Sequence, residues 1–257
     1  MSGGGGALYL VGTPIGNLED ITLRALKVLR EVDLVAAEDT RRSRQLLSHF
    51  GIRTRLVSYH EHNKKTRGPQ LLAELRAGRR VALVTDAGMP GISDPGFELV
   101  RDAAEAAIPV VAVPGPSAFL LALAASGLPT RRFVFEGFLP RAAAERRRCL
   151  ERLAAEERTV VFYEAPHRLP ATLKDLADLA GDRPLVVARE LTKCFEEIQR
   201  GTARELAARL LSREPRGEYV LVLGGRAAKG QPGAGEEEKD RPAGVAPPPP
   251  EVLAEEV

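Results

Sequence analysis

The sequence predicts a two-domain α/β protein, with a mainly parallel sheet in the first domain and a mixed sheet in the second. Three observations carry that expectation. Short apolar runs alternate with helical patterns from residue 7 to about residue 225, as expected of strands covered by helices. The Gly- and Pro-rich turns of the first half all follow strands, and in such sheets ligands sit beyond the carboxyl ends of the strands. Both ends of the chain are low in complexity and cannot bury enough apolar surface to offset the entropy of ordering them.

In the first domain (7–128), ALYLV (7–11) is a strand. DITLRALKVLREV (20–32) aligns Leu23, Leu26 and Leu29 on one helical face. DLVAAED (33–39) is a strand, and RRSRQLLSHF (41–50) is a helix stopped by Gly51. TRLVSY is a strand and TRGPQLLAELRA a helix. RRVALVT (79–85) is a strand leading through a long turn into helix FELVRDAAEAA. Strand IPVVAVPG (108–115) runs into helix SAFLLALAASG.

The second domain (129–225) begins with FVFEGFLP (133–140). Helix AAAERRRCLERLAAEE, strand RTVVFYE, helix RLPATLKDLADLA and strand PLVVARE follow. The segments CFEEIQRG, TARELAARLL and EYVLVLGG complete it. Residues 1–6 read as a flexible leader and residues 226–257 as a disordered Pro- and Glu-rich tail.

Composition narrows the function classes. Hydrophobic content is 44% and charged content 28%, ordinary for a soluble globular chain. No apolar run approaches the roughly 18 residues that cross a membrane, and MSGGGGALYL lacks a signal-peptide core. A cytoplasmic location with no membrane partner is expected. Cys149 and Cys194 form no CxxC pair, and His60 and His62 have no further ligand at recognisable spacing, so no metal site is expected. Arginine outnumbers lysine 30 to 7, which suits phosphate contact and equally fits a GC-rich genome.

VTDAGMPGISDPG (84–96) holds three glycines, two prolines and two aspartates. Strand-to-helix connections usually need about two to six residues. Glycines let backbone approach a ligand and prolines stiffen the path. With GTPIGN, EDTRR and PGPSA on the same predicted edge, such loops build a pocket. GTPIGN lacks the G-x-G-x-x-G fingerprint, and no GK[ST] phosphate loop is present. The residues alone lead to a nucleoside-type ligand of modest charge.

GTPIGNLEDITLRAL, AEDTRRSRQLL, VTDAGMPGISDPG, VPGPSA, FEGFLPR and YEAPHR, in this order, resemble the small-subunit ribosomal RNA methyltransferases of the tetrapyrrole methylase superfamily. The resemblance spans about residues 8–223. It implies a tetrapyrrole-methylase-like fold with a cofactor cleft between two domains, S-adenosylmethionine as methyl donor, and a homodimer. It further implies 2′-O-methylation of a cytidine in the decoding region of 16S rRNA, with the 30S subunit as the expected setting. DAGMPGISDPG takes the place of the superfamily's shorter GDP loop. By motif, the resemblance assigns donor contacts to Pro14, Asp86, Ala87, Gly88, Met89, Ile92, Ser117, Ala118 and Tyr163. Ser117 and Ala118 open a helix, where free N–H groups suit a carboxylate.

Methyl transfer to a ribose hydroxyl benefits from a base, typically by 10²–10⁴-fold. The candidates are Glu38, Asp39, Glu164, His167 and Lys193. Each also has an ordinary role open to it: Glu38 or Asp39 as a helix N-cap, Glu164 as a partner of Arg168, His167 as a surface residue opening its helix, and Lys193 as a solvated charge. Arg41, Arg42, Arg44 and Arg168 are the candidate RNA contacts, and TRRSRQLLSHFGIRTR (40–55) has five arginines and no acid. Two rival readings stand beside this one: a methylase of a corrin or porphyrin precursor, and a non-catalytic nucleotide-binding assembly module.

Overall fold

Two five-stranded sheets, joined through one helix, place every long loop of the first sheet on a single edge. The computed structural model describes residues 5–226. The first sheet contains β1 (Ala7–Val11), β2 (Leu34–Ala37), β3 (Leu56–Ser58), β4 (Arg80–Val84) and β5 (Val110–Val113). All its pairings are parallel, in the order β3-β2-β4-β1-β5.

Alternate residues along these strands feed two apolar layers. Val11, Val35 and Ala82 pack with α1 (Leu23–Glu31) and α2 (Thr40–His49). Leu8, Leu34 and Val81 pack with α3 (Lys64–Arg76) and α4 (Phe97–Glu105). Burial on both faces explains why the central strands read as unbroken apolar runs.

The second sheet contains β6 (Phe133–Phe138), β7 (Thr159–Glu164), β8 (Pro184–Arg189), β9 (Glu197–Thr202) and β10 (Tyr219–Leu223). Its order is β6-β7-β10-β8-β9. Only β6 and β7 are parallel; the other pairs are antiparallel, so the sheet is mixed. Helices α6 (Ala143–Ala155), α7 (Leu169–Ala180) and α8 (Ala203–Leu210) cover one face. The other face receives α5 (Ala118–Ala125): Ala122 and Leu123 share a core with Val161, Val186 and Val222. A sequence division near Leu128 leaves α5 with the first sheet, yet its buried face belongs to the second.

Several boundaries differ from the sequence expectation. The helix expected over 20–32 starts later, because Asn17 caps a short 3₁₀ turn at Leu18–Asp20 and Thr22 caps α1 by accepting from the Ala25 N–H at 3.0 Å. The helix after β3 starts at Lys64, two residues before TRGPQ. CFEEIQRG supplies β9, an edge strand whose charged residues mask its apolar pattern. Gly6, read as leader, is buried, and a side chain there would collide with the carbonyls of Leu75 and Arg79. The expected tail lies outside the described residues from 227 onward.

Candidate active site

The loops after β1, β2, β4 and β5 are tied to one another by short polar contacts. Gly12 and Gly115 meet backbone to backbone; a Cβ at Gly12 would lie 2.7 Å from the Gly115 Cα. Thr13 and Gly88 exchange N–H···O bonds, each 3.0 Å, and the Thr13 hydroxyl donates to the Thr85 carbonyl at 3.0 Å. The Thr85 hydroxyl donates to Glu38 Oε2 at 2.6 Å, and the Asp39 N–H donates to Asp86 Oδ1 at 3.0 Å. Gly88 (φ 81°) and Gly91 (φ 82°) take the left-handed conformation that the reversals of this loop demand. Ser93 adopts φ 63° without that freedom, a strained geometry of the kind that clusters at functional sites.

Beneath these loops lies a cavity of about 460 Å³, within the usual size of a small-molecule site. One wall is the central loop, from Asp86 to Asp94, with Ser117 and Ala118 at the start of α5. The opposite wall is the second sheet, through Phe138, Tyr163 and Val220. Aromatic packing fixes that wall: Tyr163 sits 5.2 Å from both Phe135 and Phe138, and Phe135 stacks on Phe119 at 4.2 Å. Burial pushes the Tyr163 phenol up to about 12, so it stays neutral.

Three carboxylates from the loops of the first sheet give the cavity a negative field, beside Glu164 and Glu218, which are paired with Arg168 and Lys193. Glu38, Asp86 and Asp94 all line it. Burial, then the neighbouring Glu38 charge, raises Asp86 above its ordinary value. The same two causes push Asp94 up to about 6. Arg42 reaches Asp86 at 3.2 Å from α2 and also lines the cavity.

Among the expected donor contacts, Asp86, Ala87, Gly88, Met89, Ile92, Ser117, Ala118 and Tyr163 line this one cavity. Pro14 does not; its neighbour Ile15 does, two residues after Thr13, which bridges Gly88.

The expected bases divide. Glu38 lines the cavity. Asp39 caps α2, accepting from the Arg41 N–H at 2.8 Å, and pairs with the Arg41 guanidinium at 2.7 Å. That hydrogen-bonded partner holds its carboxyl well below the usual range. Glu164 reaches the cavity wall but is buried. It accepts from Thr172 at 2.5 Å and pairs with Arg168 at 2.9 Å. His167 is exposed beyond the cavity, in a 3₁₀ turn. Lys193 also lies outside the lining, against Gly16, with its ammonium 2.9 Å from both Glu190 and Glu218. Burial alone would lower the Lys193 pKa, but the two carboxylates outweigh it and keep the ammonium charged. A charged ammonium accepts no proton, which argues against Lys193 as a base.

Arg41 and Arg44 are exposed on α2. Arg168 differs from them in its surroundings. Its side chain is 13% exposed, and besides Glu164 it donates to the Leu139 carbonyl at 2.7 Å. It braces the second sheet rather than offering a free cation to phosphate.

Several lining residues were not among the expected ones. Asp94, Phe138, Ala165 and Pro166 lie inside motifs already conspicuous in the sequence. Leu191, Glu218, Tyr219 and Val220 carry no sequence signal. Tyr219 and Val220 arrive through antiparallel pairing, with Tyr219 opposite Arg189 on one side and Glu164 on the other, and Leu191 and Glu218 flank those strand ends. Among the described residues no cluster of His, Cys, Asp and Glu could hold a metal ion, and no helix is long and apolar enough to cross a membrane.

Comparisons with known proteins bear on what the cavity takes. The pattern describing the Tetrapyrrole (Corrin/Porphyrin) Methylases matches residues 7–207. The chain is 52% identical over 227 residues to Ribosomal RNA small subunit methyltransferase I of Halalkalibacterium halodurans, covering 88% of this chain and 78% of that one. It is 51% identical over 221 residues to the protein of the same name from Thermotoga maritima, covering 86% and 99%. Among solved structures it resembles uroporphyrin-III C-methyltransferase of Thermus thermophilus complexed with S-adenosylhomocysteine. That likeness has a TM-score of 0.58 at 25% identity and covers 85% of this chain and 97% of the other.

Proposed function

The chain belongs to the tetrapyrrole methylase family and is an S-adenosylmethionine-dependent ribosomal RNA methyltransferase; we propose that its cavity presents the donor methyl to a ribose 2′-oxygen of a cytidine in the decoding region of 16S rRNA. The observation that carries this reading is the convergence of four loops of the first sheet on one cavity closed by the second.

The residues present fit the donor. Gly88 lines the cavity without a side chain, and the Gly12–Gly115 contact lets the loops that carry Ile15 and Ser117 approach one another. Ser117 makes no side-chain cap bond, leaving the first amides of α5 for the carboxylate of the donor's amino-acid end. Glu38, Asp86 and Asp94 surround the space with negative charge, which suits a sulfonium and an α-amino group. Tyr163, neutral and aromatic, supplies a flat apolar wall. Bound there, the donor supplies an electrophilic methyl group on a positively charged sulfur.

The chain's own contribution is alignment. Holding the hydroxyl and the methyl carbon about 3–3.5 Å apart and in line can supply roughly 7–11 kcal/mol of the barrier. The loop ties already described fix that geometry before substrate arrives. Arg41, Arg42 and Arg44 stand on α2, which begins two residues after the cavity residue Glu38, and suit the phosphates flanking the target nucleotide.

We treat residues 7–128 and 129–225 as two domains sharing α5. A homodimer is supported by an apolar surface: Leu23, Leu120 and Leu121 are exposed. Thr22 donates to the Pro114 carbonyl at 3.3 Å, which sets the start of α1 beside the approach to α5. Action on ribosomal RNA supports a cytoplasmic location. The deciding experiment offers labelled S-adenosylmethionine with 30S subunits lacking the modification, naked 16S rRNA, and a tetrapyrrole precursor. Label in the 30S rRNA is expected; label in the tetrapyrrole alone would reverse the assignment.

A further inference from the structure

Strand β6 runs parallel to β7, with Val134 opposite Val160 and Phe135 opposite Val161. The register then slips by one residue, so that Gly137 lies opposite Phe162 and Phe138 opposite Tyr163. Glu136 is the extra residue of this bulge, and Gly137, at φ 70°, supplies its left-handed backbone. A slip of one residue moves every later side chain to the other face of a sheet. Before the slip, Val134 packs under the helices and Phe135 faces α5. Unbroken alternation would send Phe138 into the helix-covered core with Val134. Leu139 occupies that core instead, and Phe138 stands on the cavity face, 56% exposed.

The fold thus holds a large apolar side chain in water at the rim of the site. Phe97, Phe133 and Phe195 are also exposed, and none of them lines the cavity. The position of Phe138 is fixed from two sides. Its ring centroid lies 5.2 Å from that of Tyr163, with the planes at 52°. Ser93 of the central loop packs on the bulge, where a Cβ added to Gly137 would sit 3.1 Å from its Oγ. Phe138 has no charge and no hydrogen-bonding group, so what it offers a ligand is apolar area and a π face.

We propose that Phe138 is the platform on which the base of the target nucleotide stacks while its ribose enters the cavity. The proposal rests on the reading of the cavity as a ribose methyltransferase site and deepens it. A 2′-oxygen comes within about 3–3.5 Å of a methyl group held in a cavity only when its nucleotide leaves the RNA stack. The base then loses its stacked neighbours, and aromatic side chains take their place. Arg42 lines the same cavity from α2, so a cation for phosphate and a ring for the base border one space. Every base has a π face, so stacking tolerates any sequence. Phe138 is therefore a positioning residue, which holds the nucleotide and leaves the choice of base to other contacts.

The test compares wild type with Phe138→Ala, Phe138→Leu and Phe138→Tyr. Each methylates 30S subunits lacking the modification in single turnover, with S-adenosylmethionine saturating and subunit concentration varied. Donor affinity is measured on the protein alone by calorimetry. Phe138→Ala is expected to lower kcat/KM for the subunit roughly 5–150-fold, with a donor Kd within about threefold of wild type. Phe138→Tyr keeps the ring and should restore the rate. Phe138→Leu keeps apolar bulk without the ring and should fall close to Phe138→Ala. On subunits whose target nucleotide carries a ribose but no base, wild type and Phe138→Ala should react equally. A wild-type rate in Phe138→Ala or in Phe138→Leu overturns the proposal. So does a loss in Phe138→Ala that persists on the base-less subunits. A raised donor Kd with a normal rate at saturation also overturns it, by making Phe138 part of the donor's wall. Wild type that leaves 30S subunits unlabelled overturns the ribosomal reading itself, a distinguishable result.

Discussion

Gly12 and Gly115 touch where two strand ends of the first sheet open into the cavity: a Cβ added to Gly115 would lie 2.6 Å from the Gly12 Cα and 3.0 Å from its carbonyl oxygen. The obstruction is backbone, which cannot rotate away as a side chain would. Gly115→Ala must therefore separate the loops, moving Ser117 and Ala118 relative to the central loop. Overpacking of this kind costs about 1–3 kcal/mol. The expected outcome is a donor Kd raised about tenfold or more by calorimetry, with the circular dichroism spectrum retained. An unchanged Kd would mean that the contact does not shape the site.

The three arginines of α2 should not contribute equally to RNA binding. Arg41 is held by Asp39 through its Nε and Nη2, Arg42 is paired to Asp86, and Arg44 is exposed without an ion pair among the described residues. For a free arginine that contacts one phosphate, removal lowers the slope of log affinity against log salt by roughly one. Arg44→Ala should show that full change in filter-binding measurements, and Arg41→Ala a smaller one. Arg42→Ala should both weaken RNA binding and disturb donor affinity, because it frees Asp86. Three equal slopes would show that the ion pairs do not matter to recognition.

The sequence made the first sheet readable because its strands are buried on both faces and its turns carry Gly and Pro where the chain reverses. The second sheet was harder. β9 has Glu197, Gln199 and Arg200 on an edge, so burial leaves no clean period-two signal. The site follows the same division. Residues inside the conspicuous loops, such as Met89 and Ser117, could be assigned from motifs. Leu191, in the turn after β8, and Val220, in β10, could not, since nothing local distinguishes an apolar residue that lines a cavity from one that fills a core. The partners of charged residues were equally hidden. Only the fold shows that Glu164 and Arg168 neutralise one another, or that Lys193 is shared by Glu190 and Glu218.

Glu164 and Arg168 form a buried pair, and removing one member leaves the other uncompensated. The Glu164 side chain is fully shielded and that of Arg168 is 13% exposed. Breaking such a pair typically costs about 3–5 kcal/mol. Glu164→Ala should therefore shift the denaturation midpoint strongly, with the Thr172 hydroxyl also losing its acceptor. Glu164→Gln keeps acceptors for Thr172 and Arg168 but removes the charge, so it should fall between. Wild-type stability in Glu164→Ala would remove the bracing role and return Glu164 to the list of groups available for chemistry.

Asp94 should make the fold less stable as pH rises through the acidic range. Its folded pKa, about 6, lies above the ordinary value of 3.8 because of burial and then the Glu38 charge. Between those two values the folded state binds more protons than the unfolded state, so unfolding free energy falls with increasing pH. The cost is absent below about 3.8 and fully present above about 6. Asparagine carries no charge to desolvate or repel. Asp94→Asn should accordingly melt higher than wild type at pH 7.5, and the difference should shrink toward zero as pH falls to about 4. Partial exposure and salt screening will reduce the size of the effect without changing its sign. Thermal melts of both proteins from pH 4 to 8 decide the matter. A constant offset across the range would show that Asp94 ionises normally and that its neighbours do not press on it. A gain in stability is the usual consequence of removing a charge that the fold holds in place at a functional site.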